Sequence, residues 1–109
     1  MDEVDEISFD DLISDEGLTV IDFSATWCMP CRMLKPIIER VADKMTDVSF
    51  YNLDIDENED IAKRYRIFSV PTLVCFKNGK KVDSLVGLNT FDDVVEFIEH
   101  CKTVEVEEE

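Results

Sequence analysis

The arrangement of apolar and polar residues along the chain predicts strands and helices in alternation. Residues 18–23 are nearly all apolar and β-branched, which is typical of a central strand covered on both faces. Residues 48–54 have the composition of a second strand. Two further strands, at 72–76 and 81–86, flank an Asn78-Gly79 pair, which is typical of a tight hairpin turn. These last two strands are therefore expected to be antiparallel.

Two helices are predicted in the first half of the chain. A capping box at residues 8–11 indicates the start of a short helix, and Gly17 is expected to end it. A second helix begins near Pro30, which suits a first helical turn, and Pro36 is expected to kink it. The apolar positions of the first helix are Leu12 and Ile13, and those of the second are Met33, Leu34, Ile37, Ile38 and Val41.

Two more helices complete an α/β pattern. Residues 58–65 form a short helix with an acidic start, and a capping box at 90–93 begins the last helix. The apolar stripe of that last helix comprises Phe91, Val94, Val95, Ile98 and Cys101. The expected architecture is a central mixed β-sheet of four to five strands with helices on both faces. We expect one domain over residues 1–109, with an acidic segment at 1–7 and a frayed acidic tail at 103–109.

Composition restricts the possible partners. The chain has 109 residues and a formal net charge of -15, which disfavours attraction to nucleic-acid phosphates or anionic lipid. No apolar run is long enough to cross a bilayer, and no secretory signal is present in the sequence as given. Neither nucleic acid nor a membrane is therefore expected as a partner. The expected location is the reducing cytoplasm, where a pair of nearby cysteines indicates redox or metal chemistry.

The most specific motif is Trp27-Cys28-Met29-Pro30-Cys31, at the junction between the first strand and the second helix. Two cysteines at this spacing allow one sulfur to attack a disulfide and the other to resolve the mixed disulfide that forms. The start of a helix favours a thiolate on Cys28, so Cys28 is the predicted nucleophile and Cys31 the resolving thiol. The alternative is half of a zinc site, although Cys75, His100 and Cys101 do not form the usual second ligand pair.

Asp22 interrupts the apolar strand that leads to this motif. Burial disfavours the charged carboxylate and raises its pKa, so the group can exchange protons near neutrality. We expect Asp22 to act as a general base for Cys31 through a water molecule. The alternative is a structural aspartate that hydrogen-bonds to the backbone.

These residues occur in an order that resembles the thioredoxin family over nearly the whole chain. The matching features are the approach to the CxxC motif at 22–28, Pro36, Val70-Pro71-Thr72, Lys77-Asn78-Gly79 and Val86-Gly87. The resemblance implies the thioredoxin fold and reduction of target-protein disulfides. It also implies a monomer without bound metal or cofactor, recycled by a flavin- and NADPH-dependent or a ferredoxin-dependent thioredoxin reductase.

The resemblance further implies a cis-proline at Pro71 that faces the two cysteines and leaves the backbone of Val70 free to pair with an extended substrate. An ordinary proline at the start of a strand is the alternative. The apolar docking surface implied around the sulfur atoms comprises Trp27, Met29, Pro30, Val70, Gly87 and Leu88.

Three features depart from the family pattern. Met29 replaces the usual glycine, which leaves a disulfide oxidant or isomerase as an alternative to a reductase. Asn52 replaces a lysine of bacterial members, so the proton affinity of Asp22 is expected to rise. The segment before Ser8 has only Val4 and Ile7 as apolar residues, so the first edge strand is expected to be short or absent.

A binding module built on the same fold is an alternative from a different functional class, although retention of both cysteines argues against it. Binding that survives loss of Cys28 and Cys31 would favour this alternative. Cys75 is expected to be a buried residue without chemistry. Cys101 is expected to be exposed at the end of the last helix, with a regulatory or intermolecular disulfide as the alternative to an unreactive thiol.

Overall fold

The computed structural model describes residues 1–106 and contains a five-stranded mixed sheet with helices on both faces. The strands are β1 Asp2–Glu3, β2 Thr19–Ser24, β3 Ser49–Asp54, β4 Thr72–Lys77 and β5 Lys80–Val86. The helices are α1 Phe9–Ile13, α2 Met29–Lys44, α3 Glu59–Arg64 and α4 Phe91–Thr103. The predicted α/β architecture is confirmed. Residues 107–109 of the predicted tail lie outside the described residues.

The strand order is β1-β3-β2-β4-β5, with β2 at the centre. β1, β3 and β2 run parallel to one another, whereas β4 is antiparallel to both β2 and β5. The predicted hairpin is confirmed, since Asn78 and Gly79 have φ angles of 53° and 80° between the last two strands.

Alternation along the strands separates two cores. On one face, Val20 and Leu73 pack with α2 and α4, and on the other, Ile21 and Val74 pack with α1 and α3. Asp22 follows Val20 by two residues and is 1 % exposed. Its side chain therefore points to the face that α2 covers.

The start of α1 differs from the prediction. Ser8 precedes the helix, but its side chain makes no cap hydrogen bond to the helix backbone. Instead, Asp5 Oδ1 accepts hydrogen bonds from the backbone N–H groups of Ile7 and Ser8 and from the Ser8 hydroxyl. These hydrogen bonds lower the pKa of Asp5. The helix also ends at Ile13, before Gly17.

The second capping box and the edge strand agree with expectation. Thr90 Oγ1 accepts a hydrogen bond from Asp93 N at 3.1 Å at the start of α4. β1 is a strand of two residues, extended by a hydrogen bond from Val4 N to Asn52 O at 2.8 Å. Val4 is buried against the sheet, whereas Ile7 is 93 % exposed.

Three predicted packing positions were wrong. Met33 belongs to the predicted apolar pattern of α2 but is 54 % exposed. Phe97 is buried in α4 although the predicted stripe omitted it. Cys101 is fully buried, which agrees with its place on the predicted stripe of α4 and contradicts its expected exposure at the helix end.

No helix within residues 1–106 is long and apolar enough to cross a membrane.

Candidate active site

The two cysteines of the CxxC motif lie at the start of α2, next to the end of β2. Cys28 is the N-cap residue with extended backbone angles, φ −92° and ψ 110°, and the helix begins at Met29. Pro30 lies in the first turn, where its missing N–H costs no helical hydrogen bond. Cys28 Sγ accepts a hydrogen bond from Cys31 N at 3.2 Å, and the two sulfur atoms are joined in a disulfide.

The surroundings of Cys28 favour negative charge on its sulfur. The first turn of α2 contains no acidic residue, and its backbone N–H groups point towards the N-cap. Arg32 and Lys35 follow on the same helix, and Arg32 Nη2 donates to Thr26 O at 2.8 Å. This hydrogen bond fixes a guanidinium beside the loop that precedes Cys28, in a protein whose net charge is strongly negative.

Asp22 lies in the middle of β2, on the sheet face that α2 covers. Burial raises the pKa of this carboxyl group to about 7, while the hydrogen bond from Asn52 and the charge of Lys35 oppose that rise. Asn52 Nδ2 donates to Asp22 Oδ2 at 3.2 Å and to Ser24 Oγ at 2.9 Å. Oδ1 of Asp22 is buried and accepts no hydrogen bond from the described residues. The high proton affinity expected for Asp22 agrees with this geometry. Its main cause is burial, rather than the replacement of a lysine by Asn52.

A cavity of about 250 Å³ opens between the disulfide and the edge of the sheet. Cys31 lines one side of it, and Ser24 and Asn52 line the other. Glu3, Ala25, Thr26, Arg32, Lys35 and Asp54 complete the lining. The cavity thus reaches Cys31 and the amide that donates to Asp22, and it is polar enough to hold water.

The loop before β4 faces the disulfide from the other side. The Val70–Pro71 peptide bond is cis, as the resemblance implied. Cys28 Sγ lies 3.7 Å from the carbonyl oxygen of Val70. Gly87 N donates to Pro71 O at 2.8 Å, and Gly87 has a φ of 94°, which a residue with a Cβ rarely adopts. The structure therefore places Val70, Pro71 and Gly87 together beside Cys28.

Several apolar side chains close in sequence to Cys28 and Gly87 are exposed. Trp27 is 68 % exposed, and its Nε1 donates to Asp56 Oδ2 at 2.8 Å, which fixes the orientation of the ring. Met29 and Leu88 are also exposed. Pro30 is likewise exposed, whereas the disulfide itself is nearly buried.

Sequence reasoning missed other exposed apolar residues: Met33, Phe68 and Val86. Phe68 is 90 % exposed and lies two residues before Val70. Its position beside a proline loop was a usable signal, whereas Met33 was hidden in a helical pattern that is typical of core residues. The hydrogen bond between Asn52 and Asp22 was also missed, because Asn52 was considered only as the absence of a lysine.

Within the part of the chain that the structure describes, no group of three or more His, Cys, Asp or Glu side chains is arranged to hold a metal ion.

Comparison with known proteins identifies the family. The sequence model described as Thioredoxin matches residues 1–100. Thioredoxin-2 of Saccharomyces cerevisiae is 47 % identical over 78 residues, which are 72 % of this chain and 75 % of that protein. Thioredoxin of Staphylococcus saprophyticus is 40 % identical over 98 residues, which are 89 % of this chain and 93 % of that protein.

Solved structures agree with the sequence comparison. A thioredoxin of Plasmodium falciparum superposes with a TM-score of 0.86 at 34 % identity, covering 92 % of this chain and 98 % of the other. A mutant thioredoxin of Halobacterium salinarum superposes with a TM-score of 0.84 at 36 % identity, covering 97 % of this chain and 93 % of the other. The chain has the thioredoxin fold and belongs to the thioredoxin family, whose members are thiol-disulfide oxidoreductases, and it reduces protein disulfides by dithiol-disulfide exchange through Cys28 and Cys31.

Proposed function

We propose that Cys28 is the nucleophile of this exchange and that Cys31 is the resolving thiol. The observation that supports this assignment best is the hydrogen bond from Cys31 N to Cys28 Sγ at the N-terminus of α2. That hydrogen bond and the helix dipole stabilise a thiolate on Cys28 and give Cys31 no comparable help.

The exchange then has two balanced steps. The Cys28 thiolate attacks one sulfur of the target disulfide, forms a mixed disulfide and releases the other target sulfur as a thiolate. The Cys31 thiolate next attacks Cys28 Sγ and releases the second target sulfur. The target gains two electrons, and Cys28 and Cys31 return to the disulfide that the structure contains.

Asp22 is proposed as the group that removes the proton from Cys31 in the second step. A pKa of about 7 lets this buried carboxyl both accept and return a proton at neutral pH. A water molecule in the cavity lined by Cys31 and Asn52 would connect the two groups.

The substrate segment is proposed to lie against the apolar surface beside Val70. Its backbone would pair with Val70, whose carbonyl oxygen lies 3.7 Å from Cys28 Sγ. Trp27, Met29 and Leu88 would contact its side chains, since all three are exposed around the disulfide. Pro30, Pro71 and Gly87 would shape the same surface, and Pro71 itself is buried beneath it.

Thioredoxins act with thioredoxin reductase and with disulfide-containing proteins. For this chain we propose a flavin- and NADPH-dependent or a ferredoxin-dependent thioredoxin reductase as the source of electrons, a monomeric state, one domain over residues 1–109 and a cytoplasmic location. The strongly negative charge supports a monomer, because it opposes self-association.

The experiment is dithiothreitol-driven reduction of insulin with catalytic amounts of the protein. The native chain should accelerate the reaction, and Cys28→Ser should return it to the uncatalysed rate. Cys75→Ala is the matched control, since this cysteine lies in the core away from the disulfide, and it should retain the native rate. Equal rates for the native chain and Cys28→Ser would reject the proposed nucleophile, and a dedicated binding role would then be the function to pursue.

A further inference from the structure

Phe68 is an aromatic side chain that the protein leaves almost entirely in water, at 90 % exposure. It lies in the loop between α3 and β4, two residues before Val70. Exposed apolar residues that occur singly are common in proteins, and Ile7, at 93 % exposure in the N-terminal segment, is one of them. What distinguishes Phe68 is its position near the reacting sulfur atoms.

Chain connectivity limits how far Phe68 can lie from Cys28. Val70 packs against the cluster that contains Cys28 and Cys31, and its carbonyl oxygen lies 3.7 Å from Cys28 Sγ. Two residues of extended chain span at most about 7 Å, so the Cα atom of Phe68 lies within that distance of the Cα atom of Val70. The ring of Phe68 is therefore within reach of the residues that flank the reacting cysteine of a target protein.

Contacts on both sides of Phe68 fix the loop that contains it. Ile67 packs against the core that α1 and α3 cover, and its backbone N–H donates to Ala62 O at 2.9 Å. On the other side, Thr72 Oγ1 donates to Ser69 O at 2.7 Å. Because the backbone on either side of Phe68 is already held, burying its ring against a partner costs little additional backbone entropy.

The burial of the disulfide brings a target protein into contact with the loops around it. Cys28 is 4 % exposed and Cys31 is 5 % exposed, so a target sulfur can meet Cys28 Sγ only if the flanking target residues lie against those loops. Water then leaves the apolar groups that face each other, which favours an apolar target residue opposite Phe68. A second copy of this chain is disfavoured there, because the net charge of -15 opposes self-association.

We propose that Phe68 is a specificity-determining residue, which favours target proteins that have a large apolar side chain about two residues from the reacting cysteine. This interval follows from the extended pairing of a target segment with Val70, since side chains two residues apart project from the same side of an extended chain. The role of Phe68 thus rests on the proposed docking of the target segment beside Val70.

The test compares two symmetrical peptide dimers, each linked by a single disulfide. One peptide has phenylalanine two residues before and two residues after its cysteine, and the other has serine at both positions and is otherwise identical. The reduced protein is mixed with an excess of each dimer, and the reaction is stopped with acid at successive times. Chromatography then quantifies the released thiol peptide and gives the second-order rate constant of its reduction.

The native protein should reduce the phenylalanine peptide about tenfold faster than the serine peptide, which is the size of effect that one well-packed aromatic contact gives. Phe68→Ser should lower this ratio of rate constants at least about threefold, whereas Phe68→Leu, which keeps a large apolar side chain, should retain most of it. Ile7→Ser is the matched control, because Ile7 is as exposed as Phe68 but lies in the N-terminal segment, and it should keep the native ratio.

A native ratio close to unity would overturn this role of Phe68, and so would an unchanged ratio in Phe68→Ser, even if the variant reduces both peptides more slowly. It is equally overturned if sedimentation shows a dimer of the native chain that Phe68→Ser dissociates, because Phe68 would then face a second copy. The assignment of the nucleophile is tested separately. That assignment fails if Cys28→Ser still reduces the serine peptide, whatever the ratio for Phe68→Ser.

Discussion

The chemistry of Asp22 depends on its position in the sheet. An aspartate on a protein surface is ionised at neutral pH, but this carboxyl is 1 % exposed and burial raises its pKa to about 7. Alternation along β2 puts the group on the same face as α2, and the register of β2 with β3 puts Asn52 directly opposite it. The strand position therefore determines both its proton affinity and its hydrogen-bond partner.

Replacing Asp22 with asparagine should stabilise the protein at high pH and not at low pH. Because the pKa is about 7 in the folded protein and 3.8 in the reference state, the folded protein retains a proton between about pH 4 and 7 that the unfolded chain has lost. The free energy of unfolding of the native protein therefore falls as the pH rises from about 4 to 7 and stays low at higher pH. The expected gain for Asp22→Asn above pH 8 is at most about 4 kcal/mol.

Urea unfolding of the oxidised proteins at pH 4 and pH 8.5 measures this effect. Asparagine keeps an oxygen that can accept the hydrogen bond from Asn52, so the comparison isolates the charge. An equal stability difference at the two pH values would show that Asp22 is not a buried acid with a raised pKa.

Asn52→Ala should raise the pKa of Asp22 further. The amide of Asn52 donates to Oδ2 of the carboxylate, and this hydrogen bond favours the ionised form. Titration of the Asp22 carboxyl carbon by NMR measures the shift. Ser24→Ala is the matched control. Ser24 Oγ accepts a hydrogen bond from Asn52, but Ser24 is not among the groups that alter the pKa of Asp22. An unchanged pKa of Asp22 in Asn52→Ala would refute the stabilisation of the Asp22 carboxylate by this amide.

At the scale of elements, hydrophobic periodicity was sufficient to predict the four helices, the four long strands and the hairpin. It was insufficient at the ends of elements, where single contacts decide the outcome. Asp5 rather than Ser8 accepts the hydrogen bonds from the free N–H groups before α1. Asp5 lies before residues 8–11, where the capping box was predicted. Cys101 was expected to be exposed because it ends a helix, but the last turn of α4 still contacts the core.

The N-terminal segment illustrates how one residue can attach a short strand. β1 has only two residues, yet Val4 is 3 % exposed in the core that α1 and α3 cover. Val4→Ala should lower the free energy of unfolding by about 2 kcal/mol, from the lost apolar burial and the cavity that remains. Ile7→Ala is the matched control and should change it by less than about 0.5 kcal/mol, because Ile7 is 93 % exposed.

Urea unfolding at one pH measures the free energy of unfolding of both variants. Similar losses for Val4→Ala and Ile7→Ala would mean that the acidic segment does not pack as the structure describes.

At the scale of the whole molecule, the site combines parts that are distant in sequence. The CxxC motif and its helix start could be predicted from neighbouring residues. The approach of Val70 to Cys28 depends on the pairing of β2 with β4, so it was inferred only through the family resemblance.

The net charge of -15 should make stability depend on salt. Mutual repulsion of surface carboxylates destabilises the compact state, and 1 M sodium chloride shortens the screening length to about 3 Å. The melting temperature should therefore rise by several degrees between 10 mM and 1 M sodium chloride. A variant with Glu6→Gln, Asp11→Asn and Glu16→Gln, three exposed acids, should respond less. An unchanged or falling melting temperature in the native chain would contradict this expectation.

The most direct measurement of the exchange mechanism is to trap the mixed disulfide. Cys31→Ser, incubated in reduced form with insulin, should accumulate a covalent adduct through Cys28, because the resolving thiol is gone. Cys28→Ser should give none, and mass spectrometry of the adduct identifies the linked cysteine. Adducts that form equally with Cys28→Ser, or that form through Cys75 or Cys101, would contradict the account of Cys28 as the nucleophile at the start of α2.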